Sequence, residues 1–210
     1  MPSHPLETPT ASSRERLLEA AKRLFAAQGY EQTATSAIAR AAGTSESQLM
    51  RYFGGKAGLL QALFDDAWVQ LNARVARAVR TAEGNREGVL EAIQSLVSAL
   101  SRDPDLATLF LFEGRRRRGD EPRVRISRGF VLFSDTVRGF LRKAQAAREI
   151  DPSLDVTAMT SAVLGATESM IRDRLLARSA GGRGFAEREI RRTVEAMLRG
   201  MGGAAATRRR

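Results

Sequence analysis

Apolar residues along this chain recur every three or four positions, the spacing of helices that each bury one face. Leu17, Leu18, Ala21, Leu24 and Phe25 mark a first helix. Ser12-Ser13-Arg14-Glu15 has the spacing of a capping box before it, and Gly29 ends it. Thr35 is expected to cap a second helix over Ser36–Ala42, and Ser45 with Gln48 forms a capping box for a third, Glu46–Tyr52. Leu60, Leu63, Phe64, Ala67 and Leu71 mark a long helix from Lys56 to about Thr81. Val89, Leu90, Ile93, Leu96, Val97 and Leu100 mark the next. Asp103-Pro104-Asp105 reads as a break, followed by a short apolar helix, Leu106–Glu113, and a loop over Gly114–Pro122. Ile126, Phe130, Phe133, Val137 and Leu141 form another stripe. Ile150–Asp155 reads as a break with Ser153 as a cap, and Val156–Arg178 and Phe185–Met201 are the last two helices.

No stretch alternates convincingly at period two, so the fold class is all-α with about nine helices. Residues 1–11 hold three prolines and no apolar period, and read as a disordered arm. Three short helices occupy 12–55, a larger helical bundle 56–203, and 204–210 read as a frayed tail. The long helix from Lys56 is expected to join the two parts without a flexible linker.

The stretch Ile38–Lys56 calls for an explanation. One short helix stops at Gly43, another starts at Ser45 and runs about two turns to Gly54–Gly55. Helices this short are unstable alone, because nucleation is costly. Helix, glycine-containing turn and second helix describe a helix-turn-helix. Gly43 supplies the positive φ of the turn. Ile38, Ala39 and Ala42 then face the first helix, while Leu49 and Phe53 anchor the third. Glu46, Ser47, Gln48, Arg51 and Tyr52 are left on a polar face free to enter a DNA major groove.

Composition narrows the chemistry. There are no cysteines and one histidine, His4, in the N-terminal arm. That excludes thiolate and His-cluster metal sites and a histidine base for a nucleophile, and no carboxylate-pair signature points to an enzyme. No metal and no cofactor are expected. The net charge is +10, which suits a polyanionic partner. The residues up to Gly58 carry only +2 of it, so bulk charge does not locate the site. No apolar run approaches the ~18 residues of a membrane span, the N-terminus lacks an apolar signal core, and a cytoplasmic location is expected.

Arg14 to Asp65, with "AAKRLFAAQGY", "TSAIARAAGTS", "YF" and Lys56, resembles the DNA-binding domain of the TetR/AcrR family of transcriptional regulators. The pattern covers roughly a quarter of the chain; the remainder is similar in helix layout and length only. The resemblance implies that Ser36, Ser47, Gln48 and Arg51 read bases, Gln48 suiting adenine and Arg51 guanine. It implies phosphate contacts for Thr35, Tyr52 and Lys56; Ser45 and Glu46 are further candidate DNA-binding residues, Glu46 at the entry to the groove. Two residues depart from the family. Met50 stands where a phosphate-holding tyrosine is usual, and Glu46 brings a negative charge that either accepts from cytosine or caps.

In the bundle, Val156–Arg178 is apolar on two sides, with Ala158, Ala162 and Ala166 at i+4 spacing and Gly165 between them. With Ile190, Val194 and Met197 of the last helix, these residues suggest a two-fold dimer interface, which the resemblance supports. The resemblance also implies a small-molecule effector, largely apolar and of unknown identity. Trp68, Phe110, Phe112, Phe130, Phe133 and Met159 are candidate lining residues, with Glu113 and Glu168 to fix a polar group. Arg115–Arg118 would suit a phosphate-bearing ligand such as an acyl-coenzyme A. The expected function is a homodimeric repressor released by its effector from a near-palindromic operator on double-stranded DNA. The alternatives are a ligand-independent activator or architectural DNA binder, and a helical protein of this fold that has lost DNA binding.

Overall fold

The computed structural model describes residues 11–113 and 127–202. Among them are nine α-helices and no strand. They are α1 (Ser13–Gln28), α2 (Thr35–Ala41), α3 (Glu46–Phe53), α4 (Lys56–Ala78), α5 (Asn85–Arg102), α6 (Pro104–Thr108), α7 (Arg128–Ala146), α8 (Val156–Ser179) and α9 (Glu187–Gly200). A single 3₁₀ turn, Val79–Thr81, follows α4, and a π-helical turn, Leu109–Glu113, follows α6. The expected arm, the Gly114–Pro122 loop with Arg115–Arg118, Ile126 and the C-terminal tail lie outside the described residues, apart from Ala11. So does the side chain of Glu113.

The chain divides into two compact units, residues 1–64 and 65–210. The division falls inside α4 rather than before Lys56, because Leu59, Leu60 and Leu63 are buried and belong to the smaller unit. Its core is Leu17, Ala21 and Phe25 of α1, Ile38 and Ala39 of α2, and Leu49 of α3. The capping box at Ser12 forms as expected, with the Glu15 backbone N–H donating to the Ser12 hydroxyl at 3.2 Å and the Ser12 N–H to the Glu15 carboxylate at 2.7 Å.

The larger unit is built around α5, which packs on α7, α8 and α9. Val89, Ile93 and Val97 of α5, Phe133, Val137 and Leu141 of α7, Val163 and Ile171 of α8, and Ile190, Val194 and Leu198 of α9 form its core. Two helix starts differ from the sequence reading. The helical run does break at Asp103, between α5 and α6, but the next helix begins at Pro104 rather than Leu106; the missing N–H of Pro104 costs nothing there, and Asp103 caps by accepting from the Leu106 N–H at 3.0 Å. Asp155, not Ser153, caps α8, accepting from the Ala158 N–H at 2.7 Å, while the Ser153 hydroxyl donates to Asp151. Phe185 lies before α9 and is exposed.

Candidate nucleic-acid interface

The turn between α2 and α3 is fixed by backbone bonds. Gly43 has φ +60°, its N–H donates to the Arg40 carbonyl at 3.1 Å, and the Thr44 N–H donates to the Ala39 carbonyl at 2.9 Å. This pair of bonds is a Schellman motif, which ends a helix and satisfies two of its last carbonyls. The Arg16 side chain adds a third tie, Nε donating to the Ala42 carbonyl at 3.0 Å. Nothing in the local pattern marks Arg16 for this role, since its acceptor lies 26 residues away.

Helix α3 therefore starts from a fixed point. The Ser45 hydroxyl accepts from the Gln48 N–H at 3.2 Å, so Ser45 caps as expected. The reciprocal half of the box is replaced: the Gln48 side-chain carbonyl accepts from the Thr44 hydroxyl at 2.6 Å. Leu49 is fully buried, Phe53 half-buried, and Glu46, Ser47, Met50, Arg51 and Tyr52 are exposed. Gly54, with φ +69°, closes the helix.

Thr35 does not cap α2. Ala34 holds the cap position without a side-chain bond, and the Thr35 hydroxyl donates to the Glu46 carboxylate at 2.6 Å. A hydroxyl has one proton to give, so this side chain cannot also donate to a phosphate in this arrangement. Ser36 is exposed beside it. Arg51 and Tyr52 form a unit, with the guanidinium 5.0 Å from the ring centroid and Nη2 donating to the phenol oxygen at 3.3 Å. The Lys56 ammonium donates to the carbonyls of Tyr30 and Glu31 at 3.0 and 3.3 Å. Gly58, one turn into α4, sits where a Cβ would meet the Phe53 carbonyl at 1.8 Å, so only glycine lets the end of α3 approach α4 this closely.

In the larger unit, Trp68 stacks on Phe110 at 4.9 Å, meets Phe130 edge-on at 5.7 Å and lies 5.9 Å from Phe133. Four of the six proposed lining residues thus form one cluster. Phe112 is exposed on the π turn, and Met159 is buried on the core face of α8. A Cβ at Gly129 would meet the Trp68 Cβ at 2.2 Å, and Asn72 donates to the Gly129 carbonyl at 2.9 Å, so α7 is held tightly beside the tryptophan.

The proposed dimer residues separate into two groups. Ala158, Ala162 and Gly165 are exposed and Ala166 half-buried, and Leu176 further along α8 is 54% exposed. Ile190 and Val194 are fully buried within the chain, so they drop out of any surface offered to a second copy; Met197 is half-buried. Their periodicity marks a buried face and cannot tell an intrachain neighbour from a partner. Among the described residues no group of three or more His, Cys, Asp or Glu is arranged to hold a metal ion. No described helix is long and apolar enough to cross a membrane.

Residues 17–63 match the family described as "Bacterial regulatory proteins, tetR family". The chain is 25% identical over 156 residues to the fatty acid metabolism regulator protein of Bacillus subtilis, covering 74% of this chain and 80% of that one. It is 28% identical over 173 residues to an HTH-type transcriptional repressor of Mycobacterium tuberculosis, covering 82% and 84%. Its fold is similar to that of the transcriptional regulator FadR from Bacillus subtilis in complex with stearoyl-CoA, with a TM-score of 0.76, 20% identity, and coverage of 90% and 97%.

Proposed function

We propose that this chain, whose residues 17–63 match the tetR family of bacterial regulatory proteins, is a DNA-binding transcriptional regulator of that family, and that two copies repress transcription at a near-palindromic operator until a small molecule releases them. The observation that carries the reading is the exposed polar face of α3, held on a buried Leu49 and a fixed turn. Ser47, Gln48 and Arg51 of α3, with Ser36 of α2, are the base readers, and Tyr52 of α3 and Lys56 of α4 the phosphate contacts. Arg51 is already steadied on the Tyr52 ring, which lowers the entropic cost of docking a long side chain. Thr35 serves indirectly, through Glu46. One two-turn helix specifies too few base pairs, so a second copy is needed, with recognition helices roughly 34–36 Å apart or a multiple of it. The small-residue face of α8 around Gly165 is the surface we assign to that copy, since Ala158, Ala162 and Gly165 are exposed and, among the described residues, a Cβ at Gly165 meets nothing.

The effector is a largely apolar molecule bound in the larger unit near the Trp68 cluster, and an acyl-coenzyme A is the class to try first. Two observations support that choice: the similarity to a fatty acid metabolism regulator, and the stearoyl-CoA held by the Bacillus subtilis FadR. The Trp68 ring touches those of Phe110 and Phe130, so an acyl chain lies beside them or parts them. A ligand that prefers the conformation less suited to DNA lowers operator affinity by linkage, typically about 5–150-fold. The test is fluorescence anisotropy of a labelled operator duplex, titrated with stearoyl-CoA and with coenzyme A alone. Release by stearoyl-CoA alone is expected. Unchanged affinity across a series of acyl-chain lengths would remove the acyl-coenzyme A class.

A further inference from the structure

The carboxylate of Glu46 is out of place on a surface that meets a polyanion. It stands at the first position of α3, exposed, where a repelled phosphate would cost affinity. Yet it is not loose. Thr35, at the first position of α2, donates its hydroxyl proton to Glu46 Oε2 at 2.6 Å, across eleven residues of sequence. That bond draws the carboxylate towards α2 and occupies one oxygen, while the other oxygen retains its lone pairs.

An ionised carboxylate accepts and cannot donate. In the major groove the donors on base edges are the amino groups of cytosine N4 and adenine N6, whereas guanine presents N7 and O6 and thymine presents O4. Adenine sets an acceptor, N7, beside its amino group, and an acceptor-only side chain is repelled there. A carboxylate fixed at the mouth of the groove therefore favours cytosine and penalises guanine and thymine.

We propose that Glu46, oriented by the Thr35 hydroxyl, is a specificity-determining residue that selects cytosine at one position of each operator half-site, at the expense of affinity for DNA in general. The inference rests on the reading of α3 as the DNA-recognition helix. Thr35 acts as a positioning residue: its side chain touches Glu46 and sets where the free oxygen points. The general repulsion and the specific acceptance come from the same charge, so the device lowers binding to non-operator sequence more than binding to the operator.

The experiment begins with wild-type full-length protein, a pool of random double-stranded DNA and sequencing of the retained fraction. Dissociation constants follow for duplexes that differ only at the enriched cytosine, for wild type, Glu46→Gln, Glu46→Ala and Thr35→Val. In wild type, replacing that cytosine should weaken binding about 5–150-fold, the range of one good base contact. Glu46→Ala should reduce this discrimination to about twofold or less and tighten binding to random DNA. Glu46→Gln, which can donate as well as accept, should move the preference towards adenine. Thr35→Val should keep the direction of the preference and weaken it, with thermal stability measured alongside. A base preference unchanged in Glu46→Ala, whether affinity for every sequence rises or falls, overturns the proposal. No enriched motif with wild-type protein overturns both this inference and the reading of α3; a motif whose cytosine preference persists in Glu46→Ala overturns the inference alone.

Discussion

The Lys56 ammonium lies 4.5 Å from the centre of the Tyr30 ring and donates to the Tyr30 carbonyl at 3.0 Å. The first residue of α4 thereby closes on the loop between α1 and α2, with a second bond to the Glu31 carbonyl at 3.3 Å. Two of its three N–H groups are spent inside the small unit, and one remains for a phosphate at the N-terminus of α4, where anions are favoured. Lys56→Ala is therefore predicted to act twice. It should lower the stability of the small unit by about 1–2 kcal/mol, through lost charge-assisted bonds. It should also weaken operator and random DNA alike, and reduce the salt slope by about one unit. Thermal melts and binding across a salt series measure the two effects separately. A loss confined to one base position would contradict this assignment.

Gln48 is predicted to depend on Thr44. The Thr44 hydroxyl holds the Gln48 side-chain carbonyl at 2.6 Å, leaving the amide N–H₂ and one lone pair to face an adenine. Thr44→Val should cost about 1 kcal/mol of discrimination at one position per half-site, with binding to random DNA unchanged. Gln48→Ala should abolish preference at that same position, at about 1–3 kcal/mol. Effects at two different positions would mean that the pair does not act together.

Gly165→Leu is predicted to yield monomers by light scattering. The space around a Cβ at Gly165 is open within one chain, so a leucine fits the fold without collision. Helicity and melting of the chain should persist while the second copy is excluded. An unchanged dimer would move the interface off this face of α8.

The capping box of α1 gives a pH dependence. The Ser12 backbone N–H and hydroxyl, at 2.7 and 2.9 Å, hold the Glu15 carboxyl below the usual glutamate range. A lowered folded value means the contribution is complete above the unfolded value and is lost as pH falls through the folded one. Glu15→Gln should melt below wild type at pH 7, and the gap should narrow below about pH 5. A gap constant with pH would show that the charge on Glu15 contributes nothing.

The parts of this fold that were legible in the sequence are those set by neighbours. The Ser12–Glu15 box, Gly29, Gly43 and the Ser45 cap need only residues a few positions away. What was not legible depends on which of several partners, near or far along the chain, a side chain or a helix face takes. Thr35 looks like a cap by type, but its hydroxyl is claimed by Glu46; Gln48 looks like the return half of a box, but Thr44 holds it. The break at Asp103 stands, but that Pro104 already opens the next helix shows only once Asp103 is seen to cap it. The stripe of Ile190 and Val194 gives burial without naming what buries it, and α5 and α8 do so within the chain. The aromatic residues behave likewise: Trp68, Phe110, Phe130 and Phe133 meet because separate elements converge, whereas Phe112 on the π turn faces outward.

The most direct test of the account is selection from random double-stranded DNA with the purified full-length chain, followed by sequencing. A near-palindrome is expected whose half-site centres lie about 10–10.5 base pairs, or a multiple, apart. No enrichment at low salt, from protein that melts cooperatively, would contradict it.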